Sequence, residues 1–257
     1  MTLMNHLTTG TEIQHPQHWS HRRAGVLLHP TSLPGPGRCG VLGDDSRRFV
    51  DLIASAGFTV WQVLPIGPVD DSLSPYLLKS VWEPVPGDEL LTTLQILFPV
   101  LPLFAEDLGT ITPEVRALRD RFDLPGMLVL QFGFNGSPDN PYLPRNHKEC
   151  AVVYTGTHDN DTTLGWYHAL DEPTRNTVRS ALGLAYDIPA ALLRAAYASP
   201  ARLAVLPMQD LLGLGSEARM NIPGTTAGNW RWRFDWSDIP ADFAERYATL
   251  AATHHRL

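Results

Sequence analysis

Short apolar runs alternate with amphipathic stretches along this chain, and that alternation restricts it to folds built on a parallel sheet. Gly25–His29 (GVLLH) is apolar throughout and is stopped by Pro30 and the loop PTSLPGPGRCG, so it reads as a buried strand. Phe49, Leu52, Ile53 and Ala56 then recur at helical spacing, with Asp44 or Asp45 as cap and Gly57 as terminator. Thr59–Leu64 supplies a second strand, stopped by Pro65, so residues 24–64 form a βαβ unit of the kind a parallel pair requires. The alternation resumes with a helix over Pro86–Ile96, a strand over Val100–Ala105, and a helix opened by Thr112, Pro113 and Glu114 with Val115, Leu118 and Phe122 as its apolar face. Further strands are expected at Met127–Phe132, Ala151–Thr155 and Leu203–Leu206, and further helices at Glu172–Leu182, Ala190–Tyr197 and Pro240–Ala252. The count is six strands, two short of a closed α/β barrel. Residues 65–99 offer one helix and a long loop but no further apolar run, so the deficit falls there; an open doubly wound sheet and a barrel both fit the pattern.

A length of 257 residues suits one α/β domain, and 44% hydrophobic against 18% charged residues is the balance of a folded chain. The formal net charge of −7, with no basic run, lacks the electrostatic footprint of a nucleic-acid binder. Cys39 and Cys150 are too few for a disulfide framework or a four-ligand zinc site, which points to a reducing compartment. The first 20 residues lack the pattern of a signal peptide, and the longest apolar run, Ile96–Ala105, is short and broken by Pro99 and Pro102. A cytoplasmic protein with no membrane partner is expected.

Polar residues stand immediately after the apolar runs: Glu106 and Asp107, Gln131, His158 and Asp159, and Gln209 and Asp210. In parallel α/β folds the site is assembled from the C-terminal strand ends, so this placement favours function. An acid after a strand is also a common helix cap, which would account for Asp107, Asp161 and Asp210, whereas Glu is a poor cap and Glu106 stands out as a candidate catalytic acid. The run Thr157–Asp161 contains His and carboxylates but has no second His at helical spacing and no HExxH, so it is a weak metal motif. No G-x-S-x-G and no phosphate-binding glycine loop occurs. Trp82, Trp166, Tyr167, Trp230, Trp232 and Trp236, with Tyr76 and Tyr142, fit either packing or a surface that stacks sugar rings.

Several long strings resemble the 4-α-glucanotransferase (amylomaltase or disproportionating-enzyme) family: GVLLHPTSLPGP (Gly25–Pro36), VWQVLPIGP (Val60–Pro68), SPY (Ser74–Tyr76), AEDLGTITPEV (Ala105–Val115), PGMLVLQFGF (Pro125–Phe134), VVYTGTHDNDTTLGW (Val152–Trp166) and PMQDLLGLGSEARMNIPGTTAGNWRWR (Pro207–Arg233). The resemblance implies a (β/α)₈ TIM-barrel-derived catalytic domain, α-1,4-glucan and maltooligosaccharide substrates, retaining transfer of glucosyl units, and no metal or organic cofactor. It implies Glu106 as general acid/base and Asp159 as transition-state stabiliser. His158, Ser74, Tyr76, Asp210 and Asn221 fall in the matching sugar-binding motifs.

The chain also departs from the pattern. The family's nucleophile is an aspartate in an R-x-D-H-F-R-G motif, and neither that motif nor the family's G-D-[IL]-P-I strand is present. After Ser74–Leu77 the sequence passes almost at once to Trp82–Leu91, a segment resembling the one before the acid/base strand. About six of eight strands are therefore expected in an open or distorted barrel, with residues 1–23 as an N-terminal extension, 24–257 as the incomplete catalytic barrel, and a deletion near residues 77–82. Retaining transfer needs two carboxylates, and only one has a matching position. The expectation is an impaired 4-α-glucanotransferase; the alternatives are a non-catalytic glucan-binding remnant and a hydrolase of the same ancestry. Exposed strand edges would favour self-association.

Overall fold

The computed structural model describes residues 21–35, 40, 42–64, 86–98, 101, 103–109 and 111–257. Ser74, Tyr76, Cys39, the proposed junction at 77–82 and nearly all of the N-terminal extension lie outside the described residues.

The elements run β1 (Arg23–Leu27), α1 (Asp44–Ser55), β2 (Val60–Gln62), α2 (Gly87–Leu97), α3 (Pro113–Arg121), β3 (Gly126–Val129), β4 (Ala151–Tyr154), α4 (Thr163–Ala169), α5 (Glu172–Ala181), α6 (Ile188–Ala198), β5 (Leu203–Pro207), α7 (Met208–Leu211) and α8 (Phe243–Thr253). The sheet has the order β2-β1-β5-β4-β3 among the described residues, and every pairing is parallel. The first strand pairs with the last, Arg23 opposite Leu203 through Leu27 opposite Pro207. That adjacency, with helices packed on the outer face, makes the sheet an arc of an α/β barrel.

Both faces of the strands are buried, which explains why they read as continuous apolar runs. On the outer face Ala24, Val26, Ala204 and Leu206 pack with Phe49 and Ile53 of α1, Leu192 and Ala196 of α6, and Phe243 and Tyr247 of α8. On the inner face Leu27, Met127, Val129, Val152, Tyr154, Leu203 and Val205 form a second cluster. Gly25 belongs to the close contact of β1 and β2, since a Cβ there would stand 2.9 Å from that of Val60.

Five of the six expected strands are present among the described residues. Residues 103–105 carry no strand, and their tie to the sheet is one backbone bond, Ala105 N–H to the Pro125 carbonyl at 2.8 Å. Met127–Phe132 divides into β3 and a 3-10 turn over Leu130–Phe132, so Gln131 lies just past the strand. Neither Asp44 nor Asp45 caps α1; both stand in its first turn behind Gly43, and Asp45 accepts the Trp236 indole N–H at 2.8 Å. Thr112 caps α3 as expected, accepting from Val115 N–H. Val115 itself is 48% exposed while Phe122 is buried, because the α3 face meets the sheet only at its C-terminal end. Helix α2 buries none of its residues: Leu90, Ile96 and Leu97 on it and Phe98 just after it are exposed. Patches of this kind mark surfaces that another polypeptide can cover.

Two arginines lock the lower end of the arc. Arg256 is fully buried and donates to the carbonyls of Arg23, Tyr197, Ser199 and Ala201 at 2.6–3.0 Å. Arg22 donates to the carbonyls of His254 and Tyr197, each at 2.8 Å. Arg22, within the expected extension, is thus bonded to the rest of the fold. Burial first, and then the Arg22 charge, push the Arg256 guanidinium down to about 9, so it remains charged at neutral pH.

His147 is 8% exposed between the Tyr142 carbonyl at 3.1 Å and the Ser199 hydroxyl at 2.8 Å. The carbonyl accepts only from an N–H, so Nε2 carries the proton and Nδ1 accepts from Ser199. Burial lowers the pKa of His147, with the Tyr142 carbonyl acting in the opposite sense. A histidine lowered in the folded state binds fewer protons there than when unfolded, so its contribution is lost as pH falls from the unfolded value of about 6.5 towards the folded one. Urea melts between pH 7.5 and 5.5 are expected to show falling stability, by up to about 1.4 kcal/mol per pH unit for each such histidine. His147→Gln should flatten that slope, and an unchanged slope would assign it elsewhere.

Candidate functional site

The segment from Thr155 to Thr163 leaves β4 and enters α4 at the C-terminal end of the sheet. Asn160 folds it into a turn, its Oδ1 accepting both Thr157 N–H and the Thr157 hydroxyl at 2.9 Å. His158 and Asp159 occupy this turn, with His158 Nε2 3.4 Å from Asp159 Oδ1. Two neighbouring segments, the turn after β3 and the stretch Ser216–Asn221, hold it. Gln131, from the turn after β3, donates to the Asp161 carbonyl at 2.9 Å. Ser216 donates to Asp161 Oδ2 at 2.7 Å. Asn221 Nδ2 donates to Asp159 Oδ1 at 2.6 Å, and Arg219 donates to the Asp159 carbonyl at 2.7 Å.

Trp230 packs beside the turn. It is 8% exposed, with its ring 5.5 Å from that of His158 and 6.2 Å from that of His29. Its φ of 60° lies in the left-handed region, uncommon for a bulky residue and maintained here by Trp230 N–H bonding the Met220 carbonyl at 2.7 Å. A cleft beside the turn is lined by Leu27, His29, Ser32, Leu64, His158, Gln209, Asp210 and Arg219 among others.

Glu106 reaches this neighbourhood from the edge of the sheet. Phe104 and Leu108 on either side of it pack on the inner-face cluster, whereas Asp107 turns to β3, where it accepts Met127 N–H at 2.7 Å and pairs with Arg119. Glu106 is exposed, and its charge acts on both His158 and Tyr154. Burial lowers the pKa of His158, while the carboxylates of Asp159 and then Glu106 oppose that. Burial pushes the Tyr154 phenol up; its O–H donates to Gln62 Oε1 at 2.9 Å.

The structure brings His158 and Asp159 together, whereas Glu106 is linked to them only through its charge on His158. The bonds of Ala105 and Asp107 set Glu106 level with the start of β3, below the rim occupied by His158 and Asp159. Asp210 and Asn221, expected to contact sugar, both bond to the segment that carries His158 and Asp159, and Asp210 also lines the cleft. Asp210 is 3% exposed with both oxygens accepting bonds from Thr155 and Thr163, and Asn221 serves Asp159. None of Asp107, Asp161 and Asp210 is a helix cap: Thr112 caps α3, Thr162 caps α4, and Asp210 lies within α7. Sequence reasoning missed Arg219 and Ser216, whose positions carry no local signal because their partners are distant in the chain. Among the described residues no three His, Cys, Asp or Glu side chains are grouped to hold a metal ion, and no helix is long and apolar enough to cross a membrane.

A parallel sheet arc with helices on its outer face, and a histidine and a carboxylate in the turn beyond β4, defines an α/β-barrel type of protein. A family model for 4-alpha-glucanotransferase matches residues 28–81 and 77–238, and the chain belongs to that family. The 4-alpha-glucanotransferase of Thermus thermophilus is 46% identical over 192 residues, covering 71% of this chain and 38% of that protein. The 4-alpha-glucanotransferase of Synechocystis sp. is 53% identical over 157 residues, covering 60% of this chain and 31% of that protein. Amylomaltase from Streptococcus agalactiae, solved in complex with acarbose, has a TM-score of 0.65 at 31% identity, covering 68% of this chain and 36% of that one. The chain therefore spans about a third of the length of the relatives it matches, 38% and 31%.

Proposed function

We propose that this chain binds maltooligosaccharides and α-1,4-glucans as a 4-α-glucanotransferase whose retaining transfer is impaired. The observation that carries the reading is the position of His158, beside Asp159, against Trp230 and within the field of Glu106. In this reading Glu106 protonates the glycosidic oxygen, Asp159 stabilises charge developing on the sugar, and His158 bonds a hydroxyl, with Ser74 and Tyr76 at the donor side. Asp210 and Asn221 act through the segment they hold. No R-x-D-H-F-R-G aspartate is available to form the glycosyl-enzyme. That absence favours a second reading, a glucan-binding protein without chemistry.

The proposal includes the loss of two βα units near residues 77–82. The two matched stretches meeting at 77–81 support it, as do the outer positions of β2 and β3 in the sheet order. The exposed α2 face and the strand edges then favour self-association. The low cysteine count fits a cytoplasmic setting.

Titration with acarbose or maltotriose, read by calorimetry and tryptophan emission, tests the reading. Saturable binding weakened by Asp159→Ala and by Trp230→Ala is expected, and the same samples should sediment as dimers or larger. No saturable binding at millimolar sugar by the folded chain contradicts the glucan reading, and a monomer throughout contradicts the association.

A further inference from the structure

Asp210 lies where α7 leaves β5, and both its oxygens face inward to the protein. Oδ2 accepts the Thr155 hydroxyl at 2.5 Å and the Thr163 hydroxyl at 2.7 Å, while Oδ1 accepts the Thr163 backbone N–H at 2.7 Å. Thr155 follows β4 and Thr163 opens α4, so one buried carboxylate, on the lining of the cleft, fastens both stems of the segment carrying His158 and Asp159. The tip of that segment is held separately by Arg219 and Asn221. Burying a carboxylate is unfavourable unless its oxygens are bonded, and here the bonding groups come from the two ends of one turn.

We propose that Asp210 is a positioning residue: it sets the two stems of the Thr155–Thr163 segment so that the His158 ring lies against Trp230 with Asp159 beside it, and it does not itself touch a ligand. This assigns Asp210 a task different from sugar contact, and it holds whether or not the chain turns over a glucan. A contact that merely stabilises the fold would lower the melting temperature without altering the surroundings of His158. A positioning contact changes those surroundings, because a loosened segment gives the His158 ring more water.

The His158 ring reports the difference. The charged groups facing it are Asp159 and Glu106, and Arg219 stands by on the Asp159 carbonyl. Its C2 proton is identified by NMR as the resonance missing from His158→Gln. In Asp210→Ala the His158 pKa is expected to rise towards the ordinary histidine value by about half a unit or more, since burial now holds it down. Asp210→Asn can accept the Thr163 N–H and donate to a threonine hydroxyl, and is expected to restore most of the shift. Where Asp210→Ala does not fold, Thr163→Val removes one hydroxyl bond and should move His158 the same way by a smaller amount. A folded Asp210→Ala or Thr163→Val chain whose His158 titrates as in the parent overturns the proposal, leaving Asp210 as a stabilising contact alone. Failure of the parent chain to bind maltotriose bears on the glucan reading only, because the His158 titration needs no sugar.

Discussion

Incubated with maltotriose, the purified chain is expected to form longer and shorter oligosaccharides at close to the rate of buffer. Retaining transfer proceeds by protonation of the leaving oxygen and attack on the anomeric carbon by a second carboxylate about 5–5.5 Å from the first. Glu106 can supply the proton. Asp159 is the other carboxylate near His158, but its Oδ1 already accepts the Asn221 amide, an arrangement that holds a charge in place rather than freeing it to attack. Loss of one member of a covalent catalytic unit removes on the order of 10³ to 10⁶ in rate, and further removals then add little. Glu106→Gln is accordingly expected to leave the residual rate almost unchanged. Product analysis by chromatography decides the matter: robust disproportionation abolished by both Glu106→Gln and Asp159→Asn would establish a replacement nucleophile. Free glucose without longer chains would identify a hydrolase.

The largest expected effect on stability is at Arg256. Its guanidinium gathers carbonyls from the start of β1, the end of α6 and the approach to β5. Alanine leaves those carbonyls buried without donors and opens a cavity among them. Bonds to a charged group are worth about 1.5–3 kcal/mol, and an unsatisfied buried carbonyl costs about 1–3 kcal/mol. A loss of about 3 kcal/mol or more is expected, which for a chain of this size lowers the melting temperature by about 6–12 °C. Arg256→Lys keeps the charge but delivers its donors from one point, so it should recover only part of the loss. A thermal melt of Arg256→Ala within about 2 °C of the parent would show that the carbonyls find other donors.

Periodicity made the strands and helices around the β1–β5 pair legible, because residues buried on both faces leave uninterrupted apolar runs. It misread Val100–Ala105, where the apolar run is real but Pro99 and Pro102 interrupt the donors a ladder needs. Glu106, His158 and Asp159 were legible as polar residues following apolar runs. The tasks of Asp107, Asp161 and Asp210 were not, since an acid after a strand can cap a helix, cover an edge or buckle a turn with the same local sequence. Asp107 covers the β3 edge through Met127 and Arg119, and Asp210 reaches two threonines 55 and 47 residues away. Such partners are set by tertiary packing, and no window of sequence contains them.

The pairing of the first strand with the last also governs how the chain matures. During synthesis β2 can join β1 within one βαβ unit, but the other edge of β1 lacks its β5 partner until Leu203–Pro207 leaves the ribosome. At about 5–20 residues per second that interval is on the order of ten seconds. Throughout it the edge of an apolar strand stays unpaired and open to other nascent chains. Arg22 and Arg23 cannot reach their carbonyl and strand partners before α6 and β5 exist, so the lower end of the arc is sealed last. Yield in cells should therefore depend on chaperones that shield an early strand more than on the equilibrium stability of the finished fold.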